Sequence, residues 1–283
     1  MSKDLKEKIG FLTLRLSAFL VLLILCVILF DIITKGISVI SWEFLSTAPR
    51  KNMTEGGIFP AIYGTFLVTL ITAFVSVPLG VFGAIYLNEY AKKGWVTRLI
   101  RMAIRNLAGV PSIVFGLFGV GIFVVLFNFG PSILSAGLTL ALMTLPITIT
   151  SSEEALKTVP RSYRDGSLAL GATKWQTIKN NILPVALPGM LTGSILGLAR
   201  AAGETAPILF TGAAFFLPYL PDSIFSQFMA LPYHLYILAT QHHSIATVRP
   251  IAYGTALVLI SLVLIVNMAA IIVRNKLRNK YKR

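Results

Sequence analysis

The chain is 283 residues long, 55% hydrophobic and only 13% charged, with a mean hydropathy of +0.79. A soluble domain carries about 25% charged residues, so this composition belongs in a bilayer. The formal charge of +14 would suit a nucleic-acid binder, but repeated apolar runs of spanning length exclude one and leave the charge to be explained by topology. The single cysteine, Cys26 in an apolar run, excludes a disulfide framework and a cysteine-based metal site.

Six runs approach the roughly 20 residues that a helix needs to cross the hydrocarbon core. They lie at about 11–33, 61–88, 104–128, 131–150, 187–213 and 251–273. The first follows Lys3, Lys6 and Lys8 and lacks a small-residue cleavage pattern, so it reads as a retained signal anchor. Asn106, Gly109, Pro111 and Ser112 mark a kinked start to the third. The fourth is the shortest, and Gly130-Pro131 supplies a tight turn before it. Three segments result: 1–60 with the first helix and an outer loop, 61–273 as the transmembrane domain, and 274–283 as a basic tail.

Lysine and arginine orient these spans. With the N-terminus inside, three fall before the first span, five between 92 and 105, five between 157 and 179, and six in the tail. Only Lys35, Arg50, Lys51 and Arg249 fall outside, and Arg15 and Arg200 lie within spans. The bias predicts that both termini face the cytoplasm and assigns the net charge to topology and anionic lipid. The outer stretches 34–60 and 214–250 are rich in aromatics and prolines, as in pieces lying at the interface. His234, His242 and His243 all fall in the second, without Asp, Glu or Cys at a spacing that would help hold a metal.

The longest polar segment on the inner side is Ser151–Pro184. Ser162, with Asp165 three residues on, reads as a first helix start, and Gly171 as its stop. Thr173 with Gln176 forms a T-x-x-Q capping box, and Pro184 reads as the close of a second helix. Trp175, Ile178 and Ile182 give that helix one apolar stripe. A capped helix pair between two spans suits docking to a partner, or a structured loop that touches none.

The fifth span carries the polar chemistry. Gly189, Gly193 and Gly197 recur every four residues, the pattern that lets helix backbones approach closely. Arg200 and Glu204 follow Gly193 and Gly197 by seven residues each, which places them within about 20° of those glycines on the wheel, on the packed face. An ionisable pair at that depth points to a pathway or to a structural salt bridge. As a pathway, a guanidinium offers a fork of donors to a small oxyanion, and a neighbouring carboxylate keeps it from becoming a permanent trap. Hydroxyl stripes at Thr65, Thr69, Thr72 and Ser76, and at Thr139, Thr144, Thr148 and Thr150, read first as helix packing and second as pore lining. Glu153 and Glu154 read as loop charge. No P-loop, no H-E-x-x-H and no Ser/His/Asp arrangement stands out, which argues against an enzyme.

Ser151–Pro184 resembles the loop of type I ATP-binding-cassette importer permeases whose pattern is Glu-Ala-Ala, three residues, Gly, nine residues, Ile, one residue, Leu-Pro. Gly171 and Leu183-Pro184 match. Asp165 takes the Glu position, Gly166-Ser167 replace Ala-Ala, and Asn181 stands where Ile is usual. AGVPSIVFGLFG (108–119) and ARAAGETAPILFTG (199–212) look like the phosphate-specific permeases, on the PstA side of that pair. The resemblance covers about 60–273. It implies an all-α membrane fold of six helices with a cytoplasmic coupling loop. It also implies a non-catalytic permease subunit of a phosphate importer in a bacterial or archaeal plasma membrane. Implied partners are a PstC-like second permease, a PstB-like ATPase dimer that binds ATP and Mg, and a PstS-like phosphate-binding protein; this chain needs no cofactor of its own. Arg200 and Glu204 become pathway candidates. Asp165, Gly171, Thr173, Trp175 and Pro184 become candidates for ATPase coupling. Importers of sulfate or molybdate, a stand-alone secondary transporter and a membrane scaffold are the alternatives.

Overall fold

In hydrocarbon, a spanning backbone must satisfy its own hydrogen bonds, so each long apolar run becomes helix. The computed structural model describes residues 3–281; the basic side chains of Lys3, Lys6, Lys8, Arg278 and Lys280 and the terminal Lys282 and Arg283 lie outside the described set. α1 (Lys3–Gly36) leads through a short 3-10 turn to α2 (Trp42–Ser46) and a two-residue hairpin, β1 (Pro49–Arg50) against β2 (Glu55–Gly56). α3 (Phe59–Ile85) runs on as a π turn to Tyr90, and α4 (Trp95–Leu107) precedes α5 (Ser112–Gly119), which continues to Leu126. Then come α6 (Ile133–Lys157), α7 (Arg161–Ala169), α8 (Lys174–Thr177), α9 (Leu183–Gly203), α10 (Ala206–Thr211), α11 (Leu231–Thr240) and α12 (Ile245–Tyr281). Among the described residues five helices are long and apolar enough to span, or six if the bent pair α4–α5 is counted as one span. The protein is a multi-pass membrane protein. One end of the bundle carries the hairpin; the other, the basic end, carries α4 and α7.

Three expected boundaries shift. The third span is not one kinked helix: α4 and α5 meet at 105°, and Pro111 caps α5 because it cannot extend the helix before it. The fourth reaches Lys157 and is the most buried of the five long helices. α6 lies between α3 and α9, so polar groups that make its apolar run look short face protein and not lipid. Glu153 is therefore no loop charge: it sits in α6, buried, in an ion pair with Arg101 (2.7 Å). The fifth span breaks at Gly203–Thr205, separating α9 from α10.

Most of the hydroxyl stripe on α3 serves packing, although the buried Ser76 hydroxyl has no hydrogen-bond partner among the described residues. Thr65, Thr69 and Thr72 are buried and donate to the carbonyl four residues back at 2.7–2.8 Å. Thr72 also reaches the Gly137 carbonyl of α6, and Thr65 accepts the Leu231 N–H. Thr150 is exposed. Within the long outer stretch, Phe228, Met229, Leu231, Ile237 and Leu238 are buried. That stretch thus folds inward through α11 and does not lie on the surface; Tyr219 and Phe225 stay exposed. His242 sits between the Asn52 carbonyl (2.8 Å) and the Ser244 N–H (3.1 Å), pinning the hairpin turn. Burial pulls the pKa of His234 down to about 4, so its imidazole is neutral. Among the described residues no three His, Cys, Asp or Glu side chains stand close enough to hold a metal.

Candidate functional site

The segment 151–184 begins as the last turns of α6 and ends inside a spanning helix. Pro160 caps α7, so Ser162 is its second residue and not its cap. α7 stops where Gly171 takes φ +82°, a left-handed conformation that strains any side chain with a Cβ. The Thr173 capping box is complete: its hydroxyl accepts the Gln176 N–H, and the Gln176 amide oxygen accepts the Thr173 N–H at 2.8 Å. Pro184 closes nothing. Lys174–Gly203 is continuous helix, about 45 Å long at 1.5 Å per residue. It widens to a π turn over Ile178–Ile182, which accommodates the N–H that Pro184 lacks.

Two faces emerge from this short stretch. Ile178 and Ile182 bury against Ala84, Ile85, Leu156 and Val159. Trp175 leaves that stripe and is half exposed, with Tyr163, Leu168 and Leu170 also open and Leu170 90% exposed. Asp165 and Gly171 are exposed as well. Two short helices at the basic end thus carry an exposed apolar face. The departures from the permease pattern explain one another. Asn181 donates to the Ser167 hydroxyl (2.9 Å), which lies 3.0 Å from the Thr177 hydroxyl. A polar clasp between α7 and α8 thus stands where Ala and Ile would make an apolar contact.

Sequence reasoning missed what holds α7 to the bundle. Glu89, in the π turn that ends α3, is buried and receives Arg164 of α7 at 2.7 Å from Nη2 and 3.3 Å from Nε. Arg164 also donates to the Val159 and Leu156 carbonyls at 2.8 and 3.0 Å. Arg101 of α4 bonds the Leu87 carbonyl in addition to pairing with Glu153. A lone acid at the end of a span, just before Lys92-Lys93, was the available signal for Glu89. Its partner, 75 residues away, had none.

In the membrane domain, the glycine stripe packs as its spacing predicts. A Cβ on Gly193 would strike Ser151 of α6, and one on Gly189 would meet Ala155. Arg200 and Glu204 are paired, Nε to Oε1 at 3.2 Å, but Arg200 lies off the packed face while Glu204 is largely covered. Arg200 is 52% exposed and Glu204 16%. The pair sits where α9 ends: Gly203 weakens the helix, and Pro207 cannot donate to the Gly203 carbonyl, so Glu204 turns extended at ψ 135°. Neither Nη of Arg200 has a partner among the described residues. Beyond the break, α10 lies on α5, with Ala206, Pro207 and Phe210 close on Gly116, and Thr139 and Thr211 on Gly119. The two strings that carry the phosphate-permease resemblance are thus packed against each other.

Residues 76–282 match the family described as binding-protein-dependent transport system inner membrane component. The probable ABC transporter permease protein YqgI of Bacillus subtilis is 34% identical over 95% of each chain. The phosphate transport system permease protein PstA 1 of Mycobacterium tuberculosis is 35% identical over 82% of this chain and 75% of its own. A solved bacterial ABC transporter involved in import of the acidic polysaccharide alginate superposes with a TM-score of 0.67 at 15% identity, over 99% of this chain and 100% of that one. At that identity it shows the shared fold.

Proposed function

The chain belongs to the family of binding-protein-dependent transport system inner membrane components, and we propose that it is the permease subunit of an ATP-driven importer of inorganic phosphate. Phosphate rests on the relatives named as phosphate permeases and on one observation in this chain. Arg200, inside a spanning helix, keeps its guanidinium half exposed with one bond filled. Its remaining donors suit a tetrahedral oxyanion, and Glu204 limits how long the anion stays. About 24 Å of helix separates Arg200 from Pro184 at 1.5 Å per residue, so the pair lies far along α9 from the basic end.

The basic end faces the cytoplasm in this reading, as the lysine and arginine bias requires. Asp165, Gly171, Thr173 and Trp175 form the surface that meets a PstB-like ATPase dimer, which binds ATP and Mg. Pro184 belongs to the rigid connection from that surface to α9. A PstC-like permease completes the pathway, and a PstS-like protein delivers phosphate to the hairpin end. Movement of α8 at the ATPase is movement of α9, since the two are one helix, and so reaches Arg200 directly.

Arg200→Ala is expected to lower uptake of radiolabelled phosphate roughly 10- to 100-fold, the loss of a charge-assisted hydrogen bond, at unchanged membrane abundance. Normal uptake by that variant would refute the pathway role, and sulfate uptake by the wild type in place of phosphate would refute the substrate. Asp165→Lys and Trp175→Ala change exposed side chains, so they should fold normally and yet release the ATPase in pull-down. Retention of the ATPase by both would refute the docking face.

A further inference from the structure

The basic end holds a cavity of about 730 Å³ between the end of α3, α4, the end of α6 and α7. Six cations line it, Lys92, Lys93, Arg101, Lys157, Arg161 and Arg164, against one lining acid, Asp165. Three of them are neutralised: Arg101 by Glu153, Arg164 by Glu89 and Lys157 by Glu154. Lys92, Lys93 and Arg161 have no side-chain partner among the described residues. Asp165 can offset one of these three, so the cavity keeps a surplus of positive charge that no other acid among the described residues pairs with.

α4 indicates which kind of anion would suit this cavity. It buries none of its residues, and Trp95, Val96, Leu99 and Ile100 are exposed on its apolar side. Arg98, Arg101 and Arg105 fall within about 60° of one another at 100° per residue, so the helix is apolar on one side and cationic on the other. It meets the spanning α5 at 105°, so with α5 across the bilayer α4 lies close to the membrane plane. An amphipathic helix with a basic face in that attitude is an interfacial helix. A second hollow of about 310 Å³, lined by Lys93, Arg98, Arg101 and Arg105, continues the basic surface along it.

We propose that the cavity seats the phosphate headgroup of an anionic phospholipid from the leaflet in which α4 lies. Lys92 and Lys93 approach from the end of α3, and Arg161 from α7. The headgroup would therefore tie α7, the docking helix, to the membrane-lying α4, beside the internal tie of Arg164 to Glu89. Basic pockets at the inner face of membrane proteins hold lipid headgroups through the same electrostatics.

The test is native mass spectrometry of the complete transporter released from nanodiscs of phosphatidylcholine, with or without phosphatidylglycerol. A nanodisc offers both leaflets, so the result is independent of orientation and of what is transported. Wild type should retain phosphatidylglycerol in preference to phosphatidylcholine. Lys93→Gln with Arg161→Gln should weaken retention about 30-fold, the loss of two interfacial charges, while Lys51→Gln at the opposite end should change nothing. If the double variant fails to assemble, Lys92→Gln with Lys93→Gln, which leaves α7 intact, must show the same loss. Equal retention of the two lipids, or undiminished retention by the variants, overturns the proposal. So does displacement of phosphatidylglycerol by inorganic phosphate, which would make a free anion the occupant.

Discussion

Arg164 and Arg200 each bond a glutamate, and the two pairs are built in opposite ways. Arg164 reaches from α7 to Glu89 at the end of α3 and gives two further donors to the Val159 and Leu156 backbone carbonyls. Its side chain is 20% exposed and that of Glu89 7%. Arg200 reaches one turn along its own helix, makes a single contact at 3.2 Å and is half exposed. The first arrangement fills all but one of its donors and joins two elements. The second leaves donors open and joins nothing that the helix does not already join. A buried pair held by bonds to two other elements fixes geometry, whereas an open pair is available to something that passes.

The contrast is sharpest in stability. Glu89→Ala strands a partly buried guanidinium, and about 3–5 kcal/mol should be lost, read as a fall in the thermal unfolding midpoint of the purified protein and as loss of ATPase binding when α7 comes loose. Glu153→Ala breaks the second tie, between α6 and α4, but Arg101 is more exposed than Arg164, so about 2 kcal/mol is the expected loss. Arg200→Ala should cost no more than about 1 kcal/mol in the same measurement, as exposed pairs do, even though uptake collapses. A large fall for Arg200→Ala, or none for Glu89→Ala, would reverse the assignment of the two pairs.

Gly193 and Gly171 show why some of this was legible in the sequence. A glycine every four residues dictates a close helix contact, and Gly193 duly packs on Ser151. A glycine after Leu170 dictates a left-handed stop, and Gly171 adopts φ +82°. Both are local rules that the chain carries in its spacing. Glu153 shows where they fail. Beside Glu154 it reads as loop charge, and only the approach of Arg101 from α4 makes it an interior residue. Pro184 fails similarly: as local punctuation it ends a helix, but packing of Ile178 and Ile182 on α3 and α6 holds the helix through a π turn.

The sequence alone determined the membrane setting, the helix caps around Thr173 and Gly171, and the presence of an arginine and a glutamate one turn apart in an apolar run. Each of these follows from composition or from spacing within a few residues, because the bilayer and the helix impose short-range periods. The tertiary structure alone decided which charges are buried, that the fifth span breaks beside Arg200, and that Ser167 answers Asn181. It also decided that α7 is clamped by a glutamate 75 residues away. Those facts depend on which helix lies against which, and that is set by packing among segments far apart in the chain, where no local period reaches.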